Sequence, residues 1–314
     1  MALLRYLLKR LFGLFLVVFG IVTILFFILN LTPGDPARLL AGFEATEEDV
    51  ETIRKALGLD RPLHERYLRY MLNLLRFDLG NSLRTGTPVI EEVLARLPNT
   101  ILLAVSSMSL ALVIGIPLGI LAAVKNNSII DYLVLIFSII GNSIPIFWLG
   151  LMFIVLFSVK LHLLPAGGSG TPLHLILPSI TIAIYLSSYI VRFTRASILE
   201  VLNQEFVRYA FSKGLPRNIV LYKHVLRNAL IPVLTISGLQ FGALLGGAPI
   251  TETVFAWPGI GKYIVDSIFA KDYPAVQGSV FIFALAYALV NLITDLLYVI
   301  VDPRVKLEGG EESE

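Results

Sequence analysis

The sequence predicts an all-α integral membrane protein: six transmembrane helices, both termini in the cytoplasm, and a small helical insertion on the outer side. Three observations carry that prediction. Of the 314 residues, 56% are hydrophobic and only 15% are charged, far from the make-up of an ordinary soluble domain. The apolar residues fall into blocks that reach the roughly 20 residues a helix needs to cross a bilayer. Lys and Arg are unevenly shared between the segments that join those blocks.

The blocks run over residues 11–31, 101–124, 132–159, 173–191, 230–255 and 276–301. Arg5, Lys9 and Arg10 precede the first, as in a secretory signal. That block is too long for a signal core and ends in Leu31-Thr-Pro-Gly-Asp-Pro36, without a small-x-small cleavage site, so it reads as a retained span. With the N-terminus inside, the inner segments hold Arg5, Lys9, Arg10, Lys125, the run from Arg192 to Arg227, Arg304 and Lys306. The short outer segments hold Lys160, Lys262 and Lys271. The loop after the first span exceeds about 60 residues, where this rule stops applying. The net charge of +2 says little about partners, and the lack of cysteine excludes a disulfide framework or a thiolate site.

The chain then divides into a first segment (1–31), an outer insertion (32–99), a five-helix core (100–302) and a cytoplasmic tail (303–314). Within the insertion, Thr46-Glu-Glu-Asp49 offers an N-cap and an acidic first turn, so a helix should run to about Leu57. Tyr67, Tyr70, Met71, Leu74 and Leu75 share one stripe, which predicts an amphipathic helix over 61–77. Residues 78–88 are rich in turn formers, and Pro88 opens a short helix over 89–97. Such a subdomain either caps the pore mouth or has a ligand of its own.

In the core, Gly141-Asn-Ser-Ile-Pro145 interrupts the third span, and Gly238, Gly242 and Gly246-Gly247-Ala-Pro249 loosen the fifth. Small residues let helices approach closely in lipid, and plain packing is the simplest account of any one glycine. Broken helix is tolerated only where protein or water satisfies the backbone. Asn142, Ser143, Gln240, Gly246, Gly247, Thr251 and Glu252 are therefore candidate lining or gating residues. Asp295 and Glu252 are charges inside apolar blocks and need a reason to be there. A proton relay would use both; pairing is the simpler reading, with Arg192 or Arg195 as partners for Asp295.

No catalytic constellation is present. His64, His162, His174 and His224 form no metal-ligand pattern, and no hydrolase elbow occurs. Gly259-Ile-Gly261-Lys262-Tyr263 resembles the tail of a phosphate-binding loop, but Ala256 stands where its first Gly belongs and Tyr263 where Ser or Thr belongs. If nucleotide energy is used, another chain binds the nucleotide.

Residues 207–232 read VRYAFSKGLPRNIVLYKHVLRNALIP, with five Lys or Arg residues and no acid. The fourth span should continue as a helix through Arg192, Arg195, Leu199 and Leu202. Val207, Ala210, Phe211 and Gly214 then recur at i, i+3, i+4 and i+7, one face of a short helix. Lys213 and Gly214 supply a stop, and Pro216 opens the next helix. Topology explains the charge of this insert. A docking element explains its helix–break–helix form.

The insert resembles the cytoplasmic coupling loop of ABC importer membrane subunits, though Arg208 and Tyr209 replace that motif's Glu and first Ala. This departure and Leu226-Arg-Asn-Ala-Leu-Ile-Pro232 are similar to the oligopeptide/dipeptide/nickel branch. Thr32-Pro-Gly-Asp-Pro36, Leu57-Gly-Leu-Asp-Arg-Pro62, Phe77-Asp-Leu-Gly80, Ser82-Leu-Arg84, Arg96-Leu-Pro98, Glu252-Thr-Val-Phe-Ala-Trp-Pro-Gly-Ile-Gly261 and Asp272-Tyr-Pro274 agree in order. The likeness is to the first permease of the pair.

It implies a type I importer permease fold and transport of peptides, with oligosaccharides or nickel chelates as alternatives. It also implies a second permease, two cytoplasmic ATPases that bind ATP and Mg, and an extracytoplasmic binding protein. No cofactor is expected in this chain, nor a nucleic-acid partner. Val207, Ala210, Phe211, Gly214 and Leu215 are expected to pack on an ATPase, followed by the Pro216 restart, with Arg208, Lys213 and Arg217 steering. A self-sufficient secondary carrier would instead show two similar halves with matching broken helices, and no clear repeat is visible. An intramembrane enzyme or insertase is the third class, and the missing catalytic constellation makes it remote.

Overall fold

A computed structural model describes residues 2–31, 35–42, 45–56, 58–245 and 248–301. Helix α1 (Ala2–Leu31) is followed by the insertion helices α2 (Pro36–Ala41), α3 (Glu47–Ala56) and α4 (Leu63–Leu75). Then come α5 (Val89–Val124), α6 (Ile129–Ser143) and α7 (Ile146–Phe153), the last prolonged by a π-helical stretch, Ile154–Lys160. The long α8 (Leu173–Leu202) leads to the short α9 (Glu205–Ser212). Next, α10 (Arg217–Ile219) passes through a π-helical stretch, Val220–Val225, into α11 (Leu226–Leu245). The chain closes with α12 (Pro249–Val254), α13 (Ile260–Phe269) and α14 (Tyr273–Val301). Among the described residues the only β-type pairing is a bridge between Asn81 and Pro88.

Among the described residues, five continuous helical segments are long and apolar enough to span a membrane, and the α6–α7 pair, counted as one broken span, makes six. The third block is therefore not one straight helix: its halves meet at 97°. The cause is local. Pro145 has no N–H to continue the ladder, and Ile144 before it takes an extended conformation, φ −78° and ψ 126°. The fifth block also ends early. Its helix stops at Leu245, and Thr251 and Glu252 stand on the separate α12. Gly246 and Gly247 lie outside the described residues, as do most of the 32–36 motif, Leu57 and the 303–314 tail.

Thr46 caps α3 as expected: its N–H and hydroxyl donate to Asp49 Oδ2 at 3.0 and 2.7 Å, and its Oγ accepts the Asp49 N–H at 3.2 Å. These bonds, with the hydroxyl first, hold the Asp49 carboxyl below its ordinary range. The helix expected over 89–97 is instead the first turns of α5, which runs unbroken for 36 residues. At about 1.5 Å per residue it outreaches a hydrocarbon core of about 30 Å, so one end stands clear. The boundary expected at 99 thus falls inside a continuous helix.

Helix α8 is central, touching α5, α6, α7 and α11. It approaches α5 closely because Gly115 and Gly119 leave room for Ile190 and Thr194. Gly141 likewise admits Ser188, and Gly238 and Gly242 admit Thr294 and Tyr287. The packing account therefore holds for these core glycines.

Among the described residues three larger cores stack along the bundle, and a small fourth joins Ala122, Val134 and Val191. The outer one joins Val22, Leu74, Leu79, Val93, Ile260 and Phe281. The middle one centres on Leu103, Ile182, Ile190 and Trp257. The inner one holds Ile198, Val207, Ala210, Val220 and Val225.

The side chain of Asp295 lies outside the described residues, and with it the pairing expected for it; Arg195 has a partner elsewhere. Its Nε and Nη2 grip both oxygens of Asp131 at 2.6 and 2.8 Å, and Nη2 also reaches Asn126 at 2.9 Å. The Asp131 side chain is 1% exposed. Arg192 stacks over Tyr189, 5.1 Å from its ring centre. Removing one partner of a buried pair costs about 3–5 kcal/mol. Asp131→Asn should accordingly lower the thermal midpoint of the purified protein by several degrees. The double change Asp131→Leu with Arg195→Met should recover most of it. An unchanged midpoint in Asp131→Asn would contradict this role.

Candidate functional site

The sequence-predicted cytoplasmic residues converge on one compact unit. Val207 and Ala210 are 0% and 6% exposed and pack inward on the inner core. The stripe that predicted a docking face is thus covered, in part, by the chain's own helices. Tyr209, at 63% exposure, and Phe206 and Phe211 stand outward. Arg208, Lys213, Gly214, Pro216 and Arg217 are exposed as well. Lys213 Nζ lies 4.6 Å from the Tyr209 ring centre, and Arg217 Nη2 reaches Val124 O at 3.4 Å. The exposed surface of α9 therefore carries Tyr209 and Arg208 beside Glu205, with Phe206 and Phe211 flanking the buried stripe. Phe206 and Tyr209 fall off the predicted stripe: Tyr209 points away from Val207 and Ala210, a position readable from the helical period, while Phe206 flanks the stripe one turn before Ala210.

The stop after α9 is a two-bond cap. Gly214 N–H donates to Phe211 O at 2.9 Å and Leu215 N–H to Ala210 O at 3.4 Å, while Leu215 packs on the inner core. Gly214 has φ +77°, and a Cβ there would meet nothing within 4 Å. Backbone conformation therefore accounts for this glycine within the chain. Asn tolerates that conformation and a β-branched residue does not. If this loop couples to an ATPase as the resemblance implies, Gly214→Asn should keep most of the coupled activity of the reconstituted assembly and Gly214→Val should lose most of it. Equal loss in both would mean that a partner presses on the backbone there.

On the outer side, Glu252 is fully buried and not free to line a path in this chain. Its Oε1 accepts from Thr100 Oγ1 at 2.9 Å and its Oε2 from Lys262 N–H at 2.9 Å, with Gly261 N–H as a further donor. Thr100 Oγ1 itself accepts Ile260 N–H at 2.9 Å. The carboxylate thus caps the N-terminus of α13, where an anion is favoured. Burial pushes its pKa up, and the bonds from Lys262, Thr100 and Gly261 pull it back.

Gly259 and Gly261 are glycines because a Cβ on either would strike this carboxylate. The Gly-Ile-Gly-Lys stretch is therefore a cradle for Glu252. Trp257 Nε1 donates to Asn99 O and Asn99 Nδ2 to Pro258 O, both at 3.0 Å, which fastens the same segment to α5.

The Asp272-Tyr-Pro and Ser82-Leu-Arg motifs also meet. The buried Asp272 accepts from Ser82 Oγ, Leu83 N–H at 3.1 Å and Arg84 N–H at 3.3 Å, and caps Ala275 N–H at 3.2 Å.

The remaining pathway candidates do not gather into one cavity. Asn142 and Ser143 sit at the α6–α7 bend, where Ser143 lines a shallow apolar groove beside Pro145 and Trp148. Gln240 is half-buried on α11, and the Thr251 hydroxyl is buried without a partner. Among the described residues no group of His, Asp or Glu could hold a metal ion.

Residues 115–307 match the family described as "Binding-protein-dependent transport system inner membrane component", and residues 3–104 match the N-terminal region of such membrane components. The chain is 46% identical to a probable D,D-dipeptide transport system permease of Escherichia coli (strain K12), covering 96% of this chain and 98% of the relative. It is 43% identical to a glutathione transport system permease of Pectobacterium atrosepticum, covering 96% and 99%. In fold it is similar to an inward-facing MetNI methionine ABC transporter structure, with TM-score 0.58 and 17% identity over 67% of this chain and 96% of that one. A second similar structure is an amino acid ABC transporter, with TM-score 0.51 and 17% identity over 69% and 95%.

Proposed function

Because the chain belongs to the binding-protein-dependent transport system inner membrane component family, as a multi-pass permease of an ABC importer, we propose that it forms half of a pathway for short peptides. The other half is a second, similar permease. Two cytoplasmic ATPases drive the pair, and an outer binding protein delivers cargo. Two relatives are named for a D,D-dipeptide and for glutathione, both short peptides, and these names support the cargo class.

The observation that carries the coupling role is the outer face of α9. A helix with exposed Phe206, Tyr209 and Phe211, rimmed by Arg208, Lys213 and Arg217, is seated on its own core through Val207 and Ala210. A push on such a helix is passed to α8 and α11 instead of being absorbed by a loose loop. Coupling requires the ATPases to contact this face differently in their two states, since equal contacts would shift nothing. Asn142, Ser143 and Gln240 are the pathway residues this reading retains, with the bend at Pro145 as its gate. Glu252 holds the outer end in register.

Uptake of a labelled dipeptide into proteoliposomes carrying all partners tests the cargo. Uptake that needs ATP and the binding protein, and is competed by other dipeptides, is the expected result. Uptake by this chain alone on an ion gradient would contradict it.

A further inference from the structure

Beside the outer end of α1 lies a cavity of about 300 Å³ with a basic lining. Arg61, Arg66 and Arg69 line it, and among the described residues Asp78 is the only acid that does. Asp78 already accepts the Gly80 N–H at 3.0 Å. Arg66 donates to the Asn30 side-chain oxygen. None of the three arginines has a carboxylate partner among the described residues. The Tyr70 hydroxyl, also in the lining, is buried without a partner.

The depth of this cavity follows from α4. Tyr67 Oη meets Thr23 Oγ1 at 2.8 Å, and the Tyr67 and Tyr70 rings pack on Phe26. Thr23 precedes the end of α1 by eight residues, about 12 Å of helix. Helix α4 therefore lies against the outer part of a membrane span. Its Leu68, Leu72 and Leu75 are strongly exposed, three apolar side chains on a helix that packs along the outer part of α1. The Arg66–Asn30 contact sits one residue from the end of α1, where its apolar run ends, and Tyr273 opens α14 on the same cavity. Unpaired guanidinium groups at that level suit a phosphate, which Arg binds through paired donors.

We propose that this cavity binds the phosphate of an anionic phospholipid from the outer leaflet. Arg61, Arg66 and Arg69 hold the phosphate, and Leu68, Leu72 and Leu75 lie along the acyl chains. The insertion thereby has a ligand of its own and fixes α4 to α1 and α14 from the membrane side.

The test is native mass spectrometry of the complete importer, exchanged into detergent with phosphatidylglycerol or phosphatidylcholine. The intact protein should retain phosphatidylglycerol about ten-fold better. The double variant Arg61→Gln with Arg69→Gln, at two exposed positions, should lose that preference at an unchanged thermal midpoint. Arg66→Gln should lose it too. Millimolar inorganic phosphate should not displace the lipid. Equal retention of both lipids, or an unaltered preference in the double variant, would overturn the proposal. Displacement by inorganic phosphate would overturn the lipid as source and assign the site to a free anion.

Discussion

Changing Phe206, Tyr209 and Phe211 together to Ala leaves the chain folded and inserted and removes ATP-driven uptake. The three side chains are exposed on α9, so their loss opens no cavity in the inner core, which Val207 and Ala210 fill. Aromatic anchors at an interface are each worth about 2 kcal/mol or more. Two of them already correspond to about 100-fold or more in association, at 1.4 kcal/mol per ten-fold. The ATPases should therefore co-purify poorly with the triple variant, while the second permease stays bound. Val207→Asp should behave differently. It places an unpaired charge in the core and should lower the amount of folded protein itself. Full uptake by the triple variant would remove the docking role from this face.

Glu252→Ala should be among the most destabilising single changes on the outer side. It strips a buried cap from three donors at once: Thr100 Oγ1, Gly261 N–H and Lys262 N–H. Each orphaned donor costs about 1–3 kcal/mol, so the loss is about 3 kcal/mol at least. Whole domains are stable by only about 5–15 kcal/mol. Gly259→Ala should cost a comparable amount, because its Cβ would overlap the carboxylate. The pair Glu252→Ala with Gly259→Ala should then be milder than the sum of the two, since the added methyl enters the space the carboxylate left. Thermal midpoints of the four proteins in detergent check this. Strict additivity, or a Glu252→Ala midpoint equal to the parent's, would contradict the cradle.

Much of the architecture was legible because it is local. Apolar length marked the spans, Thr46 and Asp49 marked the start of α3, and periodicity carried α8 out to Leu202. The hidden parts depend on distant partners. Gly141-Asn-Ser-Ile-Pro145 announced a weak point, but uniform apolarity on both sides concealed a 97° bend. The 3.6-residue stripe of Val207 and Ala210 was real, yet a stripe does not say whether its cover is a partner or the same chain. Asp131 and Arg195 are 64 residues apart, so nothing near either one names the other. Glu252 resembled a misplaced charge until Gly259, Gly261 and Thr100 came to surround it.

The exposed side of α9 should meet an ATPase. The natural chain has no cysteine, so a single one reports a single place. In the assembled importer, Tyr209→Cys should cross-link to a cysteine on the ATPase surface, with a yield that changes when ATP binds. The buried Val207→Cys should give none. Cross-linking of Tyr209→Cys to no ATPase position in any nucleotide state would rule out docking at α9.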